Sequence, residues 1–165
     1  MNPVRLALMA IILAGLALSA GCSSKAPSAL NRDDGSIRES RWSAALTSGG
    51  ESIPLTIIAL TAENSGQARL VALSAFGATL GDCRLENGRS SCRSAPGADG
   101  LVKRISTAFG EMLRQDASFL LESEPDSARL TGSGWQAERD PSGEVEYRRT
   151  EAAAWTLSLK RLPGK

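Results

Sequence analysis

The stretch Cys83-Arg84-Leu85-Glu86-Asn87-Gly88-Arg89-Ser90-Ser91-Cys92 predicts a β-hairpin in the middle of the chain. Asn87-Gly88 suits a type I′ turn, because both central residues of that turn need a positive φ. A two-residue loop makes Cys83 and Cys92 direct cross-strand partners, in the non-hydrogen-bonded class with the closer Cα approach. That separation lies at the lower edge of the range that a disulfide accepts. We therefore predict a Cys83–Cys92 disulfide that fixes the register and contributes about 2 to 3 kcal/mol to stability.

Further segments typical of antiparallel strands lie on both sides of this hairpin. Each is short and bounded by turn-forming residues such as Ser48-Gly49-Gly50 or Asp140-Pro141-Ser142-Gly143. Segment 69–74 carries apolar or small residues on both faces, which places it in the middle of a sheet. The predicted strands are 37–46, 53–61, 68–74, 79–86, 89–94, 128–138, 144–150 and 154–162.

Residues 96–115 change from the period of a strand to that of a helix, with Asp99 as the expected N-cap. The charges on the polar face of this amphipathic helix are mixed, which favours packing on the sheet over binding to a membrane surface. Five strands, one helix and three strands predict an α+β fold. We expect a strongly curved antiparallel sheet, an incomplete β-barrel, with the helix across its concave face. The apolar stripe of the helix is Leu101, Val102, Ile105, Ala108, Phe109, Met112 and Leu113.

The first 21 residues have the pattern of a secretion signal: a basic start at Arg5, an apolar run over 6–18 and small residues before Cys22. At about 1.5 Å per residue the apolar run is too short for a hydrocarbon core of roughly 30 Å. We divide the chain into a signal peptide (1–21), a flexible tether (22–35) and one folded domain (36–165).

The sequence Leu18-Ser19-Ala20-Gly21-Cys22 resembles a bacterial lipobox, the motif at which lipoprotein precursors are acylated and cleaved. The resemblance implies that Cys22 carries acyl chains such as palmitate, and Ser23 in place of Asp favours the outer membrane over the inner. More than one chain gives stable attachment, since each buried methylene contributes about 0.8 kcal/mol. An ordinary signal-peptidase cleavage is the alternative.

Composition excludes several classes of chemistry. The 165 residues include no histidine, which removes imidazole-based nucleophile activation, imidazole general bases and histidine-ligated zinc. Two thiolates without a further soft ligand make a poor metal site. A net charge of +1, from 19 Lys and Arg against 18 Asp and Glu, provides no basic field for nucleic acid. We expect a monomeric non-enzyme without cofactor, bound metal or nucleic-acid partner.

The lipobox, the strand meander, the apolar segment 70–77, the helix after it and Gly134-Trp135 before a hairpin together resemble the LolB-like outer-membrane lipoproteins. This family includes the lipoprotein receptor of the Lol sorting pathway and several uncharacterised relatives. The likeness covers about 37–162 in element order. It implies an incomplete β-barrel with helices as a lid, enclosing an apolar cavity for acyl chains.

The resemblance also implies two sets of site residues. Phe76 lies where the receptor has a projecting hydrophobic residue that helps to put lipoproteins into the membrane. The alternative is that Phe76 is a core residue at a strand bend, where Gly77 supplies the backbone freedom. The candidate cavity lining, which could equally fill a solid core, is Ile57, Leu60, Leu70, Ala72, Leu80, Leu85, Ile105, Phe109, Leu130, Trp135, Trp155 and Leu157.

These expectations combine into one functional hypothesis and one alternative. The hypothesis is a lipoprotein anchored in the outer membrane, with its domain in the periplasm, that binds or transfers acyl chains or lipidated cargo. The driving force would be apolar burial, at about 25 cal/mol per Å². The alternative is a structural or assembly lipoprotein that contacts a protein partner through a sheet edge or the helix face, without binding lipid.

Overall fold

The computed structural model describes residues 36–62, 67–121, 127–151 and 154–163, so the expected signal peptide, Cys22 and the tether lie outside the described residues. The described residues form nine strands and two helices. The strands are β1 (Ile37–Ser48), β2 (Glu51–Ala62), β3 (Ala68–Ser74), β4 (Thr79–Glu86), β5 (Arg89–Ser94), β6 (Ala128–Gly132), β7 (Trp135–Arg139), β8 (Val145–Arg149) and β9 (Trp155–Arg161). The helices, α1 (Asp99–Gln115) and the one-turn α2 (Ser118–Leu121), lie between β5 and β6.

The strands form one antiparallel sheet in the order β5-β4-β3-β2-β1-β9-β8-β7-β6. The chain starts in the middle at β1 and moves outward strand by strand to the edge at β5. The two helices then lead to the opposite edge at β6, and the last four strands return until β9 pairs with β1. The expected antiparallel sheet with a helix packed against it is confirmed. Most of its neighbours are joined by short hairpins, as short turns between antiparallel strands require.

The hairpin that joins β4 and β5 has the predicted register. Cys83 pairs with Cys92, and Glu86 pairs with Arg89 next to the turn. Asn87 has a φ of 50° and Gly88 a φ of 76°, which are the positive values expected for a type I′ turn.

The region between α2 and β8 differs from the prediction. The single strand expected over 128–138 is wrong, because Ser133-Gly134 forms a turn and divides it into β6 and β7. Gly134 has a φ of 71°, which a β-branched or bulky residue rarely adopts. Ser-Gly is a turn-forming dipeptide, so the signal was present in the sequence. Four strands therefore follow the helices, one more than expected.

The helix α1 begins at Asp99, one residue before the start that an N-cap at Asp99 implies, with Ala98 at the N-cap position. Asp99 is therefore not the N-cap; it lies in the first turn, where its negative charge favours the helix dipole. The predicted apolar stripe is confirmed, since six of its seven members are buried and Leu101 is half-buried.

The core lies between α1 and one face of the sheet. Burial alternates along the strands, so that Ile57, Leu70 and Leu157 are buried while their neighbours in sequence are half-buried. The helix approaches β4 very closely at Gly81, where a Cβ atom would stand 2.4 Å from Cγ2 of Val102. Glycine at this position therefore permits the close packing of α1 on the sheet.

Candidate functional site

The turn between β3 and β4 carries the most exposed large apolar side chain of the described residues. Phe76 is 99% exposed, and its neighbours Ala75, Gly77 and Ala78 are exposed as well. Phe76 is therefore not part of the core, and no neighbouring side chain covers its ring.

Hydrogen bonds define the backbone of this turn. The Ser74 amide donates to the Ala78 carbonyl at 2.8 Å, and the Gly77 amide donates to the Ser74 carbonyl at 2.9 Å. The Ala78 amide also donates to Oγ of Ser74 at 3.1 Å. Gly77 has a φ of 81°, which glycine adopts without steric cost. The turn thus holds the Phe76 backbone in a defined position at the tip.

A second exposed aliphatic residue lies at the same end of the sheet. Leu55 pairs with Ser74, the last residue of β3. Ile53 precedes Leu55 by two residues in β2 and therefore extends beyond the end of β3. Ile53 is 45% exposed. We call Ile53 and the turn at 74–78 the Phe76 end.

Ten of the twelve residues predicted to line a cavity are buried in the single described core cluster. Leu80 is half-buried and packs against that cluster. Leu60 is half-buried and lies on the opposite face of β2 from Ile57 and Ala59, because side chains alternate along a strand. The buried members are Ile57, Leu70, Ala72, Leu85, Ile105, Phe109, Leu130, Trp135, Trp155 and Leu157.

Aromatic rings fill the core beneath β7, β8 and β9. Tyr147 is fully buried and stacks between two tryptophans. Its ring centroid lies 5.5 Å from that of Trp135 and 5.1 Å from that of Trp155. Such stacking adds to the stabilisation from area burial alone. Tyr147 is not among the predicted interior residues, although the alternation along residues 145–149 places it on the inner face.

The Tyr147 hydroxyl joins this aromatic stack to α1. It donates a hydrogen bond to Oε2 of Glu111, and Nη1 of Arg149 donates to Oε1 of the same carboxylate at 2.8 Å. Burial is the main cause that raises the pKa of Tyr147 far above its usual value, and the hydrogen bond to Glu111 adds to the effect. Because Arg149 donates to the second oxygen, both carboxylate oxygens of Glu111 accept a hydrogen bond where the helix meets the sheet.

Two arginines hold α2 against the sheet. Nη1 of Arg139 donates to the Phe119 carbonyl at 2.9 Å, and its guanidinium lies 5.2 Å from the centre of the Phe119 ring. Nη2 of Arg161 donates to the Leu120 carbonyl at 2.8 Å. These bonds satisfy carbonyl groups of a short helix and are structural contacts.

A cleft of about 480 Å³ lies between the β4–β5 turn and the second half of α1. Leu85 and Leu113 are the apolar residues of its lining, and Gly110 leaves space between helix and hairpin. Its charged lining residues are Glu86, Arg89, Glu111 and Arg114. The sequence of residues 83–92 predicted the hairpin that forms one side of the cleft. Nothing in the sequence indicated that α1 would lie beside this hairpin.

The pair Cys83–Cys92 lies two positions along the hairpin from Leu85 and Ser90, which line this cleft. Its sulfur atoms are at bonding distance and its Cα atoms are 4.1 Å apart. Cys83 is buried and Cys92 is exposed. The disulfide therefore links the edge strand β5 to its neighbour β4.

No protein-family model matches the chain, and no curated protein matches it either. Within residues 36–62, 67–121, 127–151 and 154–163, no helix has the length and apolar character needed to cross a membrane. The same residues contain no group of three or more acidic or cysteine side chains arranged to hold a metal ion.

Proposed function

We propose that this protein is a non-enzymatic lipoprotein, anchored through Cys22 in the outer membrane, whose periplasmic domain delivers acyl chains or lipidated cargo to the membrane through the Phe76 end. One observation carries the proposal: the 99% exposure of Phe76 on a hydrogen-bonded turn. Phe76 shares this end of the sheet with the exposed residues Ala75 and Ile53, and exposed apolar patches mark interaction sites.

The energetics of such a contact suit a transient role. Burying a phenylalanine side chain contributes about 1.5 to 3 kcal/mol, which is too little for stable membrane binding by itself. An acyl anchor at Cys22 would hold the domain at the membrane surface and make the contact effectively intramolecular. Phe76 could then enter and leave the bilayer repeatedly, as delivery of cargo requires.

The length of the tether supports this arrangement. The domain begins at Ile37, which pairs with Ala62 at the end of the sheet opposite to Phe76. The seven residues of β3 separate these ends by about 23 Å. Residues 22–35 span up to roughly 50 Å when extended. The tether is therefore long enough for the Phe76 end to reach the membrane that holds Cys22.

A strongly curved sheet, closer to a half-barrel than to a flat layer, is part of the proposal. Adjacent strands are about 4.8 Å apart, so the edges of a flat nine-stranded sheet would lie about 38 Å apart. A single helix of 17 residues is about 25 Å long, yet α1 contacts both β5 and β6, the two edges. Curvature that brings the edges towards one another accounts for this contact.

The described core is filled by side chains, Tyr147 and Phe109 among them, and both are nearly or fully buried. We therefore place the acyl contact at the exposed Phe76 end and not in the interior. Interiors packed at the density of organic crystals admit a chain only after side chains move.

The test is acyl transfer between vesicles. The mature protein, coupled through Cys22 to a maleimide lipid, is mixed with donor vesicles that contain a fluorescent diacylated lipopeptide and with acceptor vesicles. We expect Phe76→Ser to slow transfer at least tenfold and Phe76→Leu to retain most of the rate, because leucine keeps the apolar side chain. Ala75→Ser is the matched control for a hydroxyl in the same turn.

Equal rates for wild type and Phe76→Ser would contradict the proposal. That result would favour the alternative, a lipoprotein that acts through a protein interface. The exposed edge supports the alternative, since β5 has five exposed residues and one half-buried residue.

A further inference from the structure

We propose that the cleft between the β4–β5 turn and α1 binds an anionic amphiphile, with Arg89 and Arg114 holding the head group and Leu85 and Leu113 covering the apolar part. This inference concerns the opposite end of β4 from Phe76 and does not depend on the proposed function. The ligand class is a carboxylate or phosphate monoester on a short alkyl chain.

The size and floor of the cleft suit a small molecule. Its volume of about 480 Å³ falls within the range of about 300 to 1,000 Å³ that is typical of ligand sites. Leu85 and Leu113 contribute side chains that are almost fully buried, so the floor is firm. A Cβ atom at Gly110 would already stand 4.0 Å from Cδ2 of Leu85, so a large side chain there would extend into the cleft.

The carboxylates in the lining already have cationic partners outside it. Oε2 of Glu86 lies 3.4 Å from Nε of Arg84. Both oxygens of Glu111 accept hydrogen bonds, one from the Tyr147 hydroxyl and one from Arg149. Each carboxylate therefore has an ion-pair partner outside the cleft lining, and Glu86 is also the cross-strand neighbour of Arg89.

The two arginines in the lining are in the opposite situation. Within the described residues, neither Arg89 nor Arg114 has a carboxylate at ion-pair distance. Arg114 lies against the turn, since a Cβ atom at Gly88 would be 3.5 Å from its Nη1 atom. Arg89 follows the turn directly, at the start of β5. Of the four charged lining residues, only these two arginines therefore have no ion-pair partner within the described residues.

Charge and apolar surface together select the ligand. Arginine binds carboxylate and phosphate oxygens through charge-assisted, often bidentate, hydrogen bonds. Each methylene that is removed from water on the apolar floor adds up to about 0.8 kcal/mol. A purely apolar chain would leave the arginines unused, and an inorganic anion would make no contact with Leu85 and Leu113. An amphiphile with a negative head uses both features.

The test is isothermal titration of the full chain carrying Cys22→Ser, which lacks acyl chains, with decanoate and with decyl phosphate below their micellar concentrations. We expect saturable binding of at least one of them, and at least tenfold weaker binding of decyltrimethylammonium, which has the same chain and the opposite charge. Binding of decanoate alone, of decyl phosphate alone or of both identifies the head group. Binding of neither would overturn the proposal.

Variants locate the site. Arg89→Gln and Arg114→Gln should each weaken binding at least fivefold, and Gly110→Leu should abolish it by filling the floor. Arg93→Gln, four residues along the same strand and outside the cleft, is the matched control and should bind like wild type. Unchanged affinity in the double variant Arg89→Gln/Arg114→Gln, with circular dichroism showing a folded protein, would overturn the assignment. Phe76→Ser should bind normally, so failure here is distinguishable from failure of the proposed function.

Discussion

The two turns at the ends of β4 both contain a glycine with a positive φ, but they carry side chains of different chemical character. Each has a glycine in the left-handed region, Gly77 with a φ of 81° and Gly88 with a φ of 76°. The first turn exposes Phe76 among small residues. The second turn stands beside α1, with a disulfide behind it and Arg89 and Arg114 at the mouth of a cleft.

The contrast shows how one strand can separate two surfaces. β4 is held in place along its length, by β3 on one side, by the Cys83–Cys92 link on the other and by the close approach of Val102 to Gly81. A rigid strand lets the turn at each end carry side chains that serve no purpose in the core.

Removal of the disulfide should have the largest effect on stability of any change in the two turns and their flanking strands. The variant Cys83→Ala/Cys92→Ala should lose about 2 to 3 kcal/mol in urea unfolding, because the unfolded chain gains the freedom of an open loop. Reduction of wild type with dithiothreitol serves as the control, since it should cause a similar loss there and none in the double variant. A loss below about 0.5 kcal/mol would show that β5 is held by other contacts.

The middle of β4 should tolerate no added methyl group. Gly81→Ala is expected to cost about 1 to 3 kcal/mol in thermal unfolding, because its Cβ atom would collide with Val102. Gly100→Ala is the matched control: it lies in α1 with open space around it, and should stabilise by about 0.4 to 1 kcal/mol. If both variants were equally stable, α1 would not pack as closely on β4 as described.

Alkaline pH should lower the stability of the protein through Tyr147, which contacts the cleft residue Glu111, and not through the Phe76 turn. The pKa of Tyr147 is raised in the folded protein, chiefly by burial, while tyrosine in the unfolded chain ionises near pH 10. Above about pH 10 the unfolded chain therefore binds fewer protons than the native protein, and stability falls as the pH rises.

Urea unfolding between pH 8 and 11 measures this dependence. Tyr147→Phe should be less stable at pH 8 by about 0.5 to 1.5 kcal/mol, from the lost hydrogen bond to Glu111, and should show a shallower alkaline decline. The Phe76 turn contains no ionisable side chain, so Phe76→Ser should follow the wild-type pH profile. An identical decline in Tyr147→Phe would contradict the assignment to this group.

Substitution at the tip of the Phe76 turn should have the smallest effect on stability. Phe76→Ser should change the free energy of unfolding by less than about 0.5 kcal/mol, because the side chain makes no buried contact. The matched large-to-small change in the core, Phe109→Ala, should cost about 3 to 5 kcal/mol. A loss above 1 kcal/mol in Phe76→Ser would indicate that the ring is buried in solution.

Local sequence signals predicted local structure well. Asn87-Gly88 determines the register of β4 and β5 through the turn alone, and the stripe of α1 follows from spacings of three and four. The division of 128–138 into two strands was not predicted, although Ser133-Gly134 is a turn-forming dipeptide. Leu60 was assigned to the interior although its parity along β2 differs from that of Ile57.

By itself, therefore, the sequence determined the hairpin, the amphipathic helix and the antiparallel class, because each depends on residues that are close along the chain. Only the tertiary structure decided that β9 pairs with β1, that Tyr147 meets Glu111 and that α1 stands beside the hairpin. These contacts join residues far apart in sequence, where the packing of side chains selects among many possible pairings. Exposure is decided in the same way, so the 99% exposure of Phe76 became visible only in the folded chain.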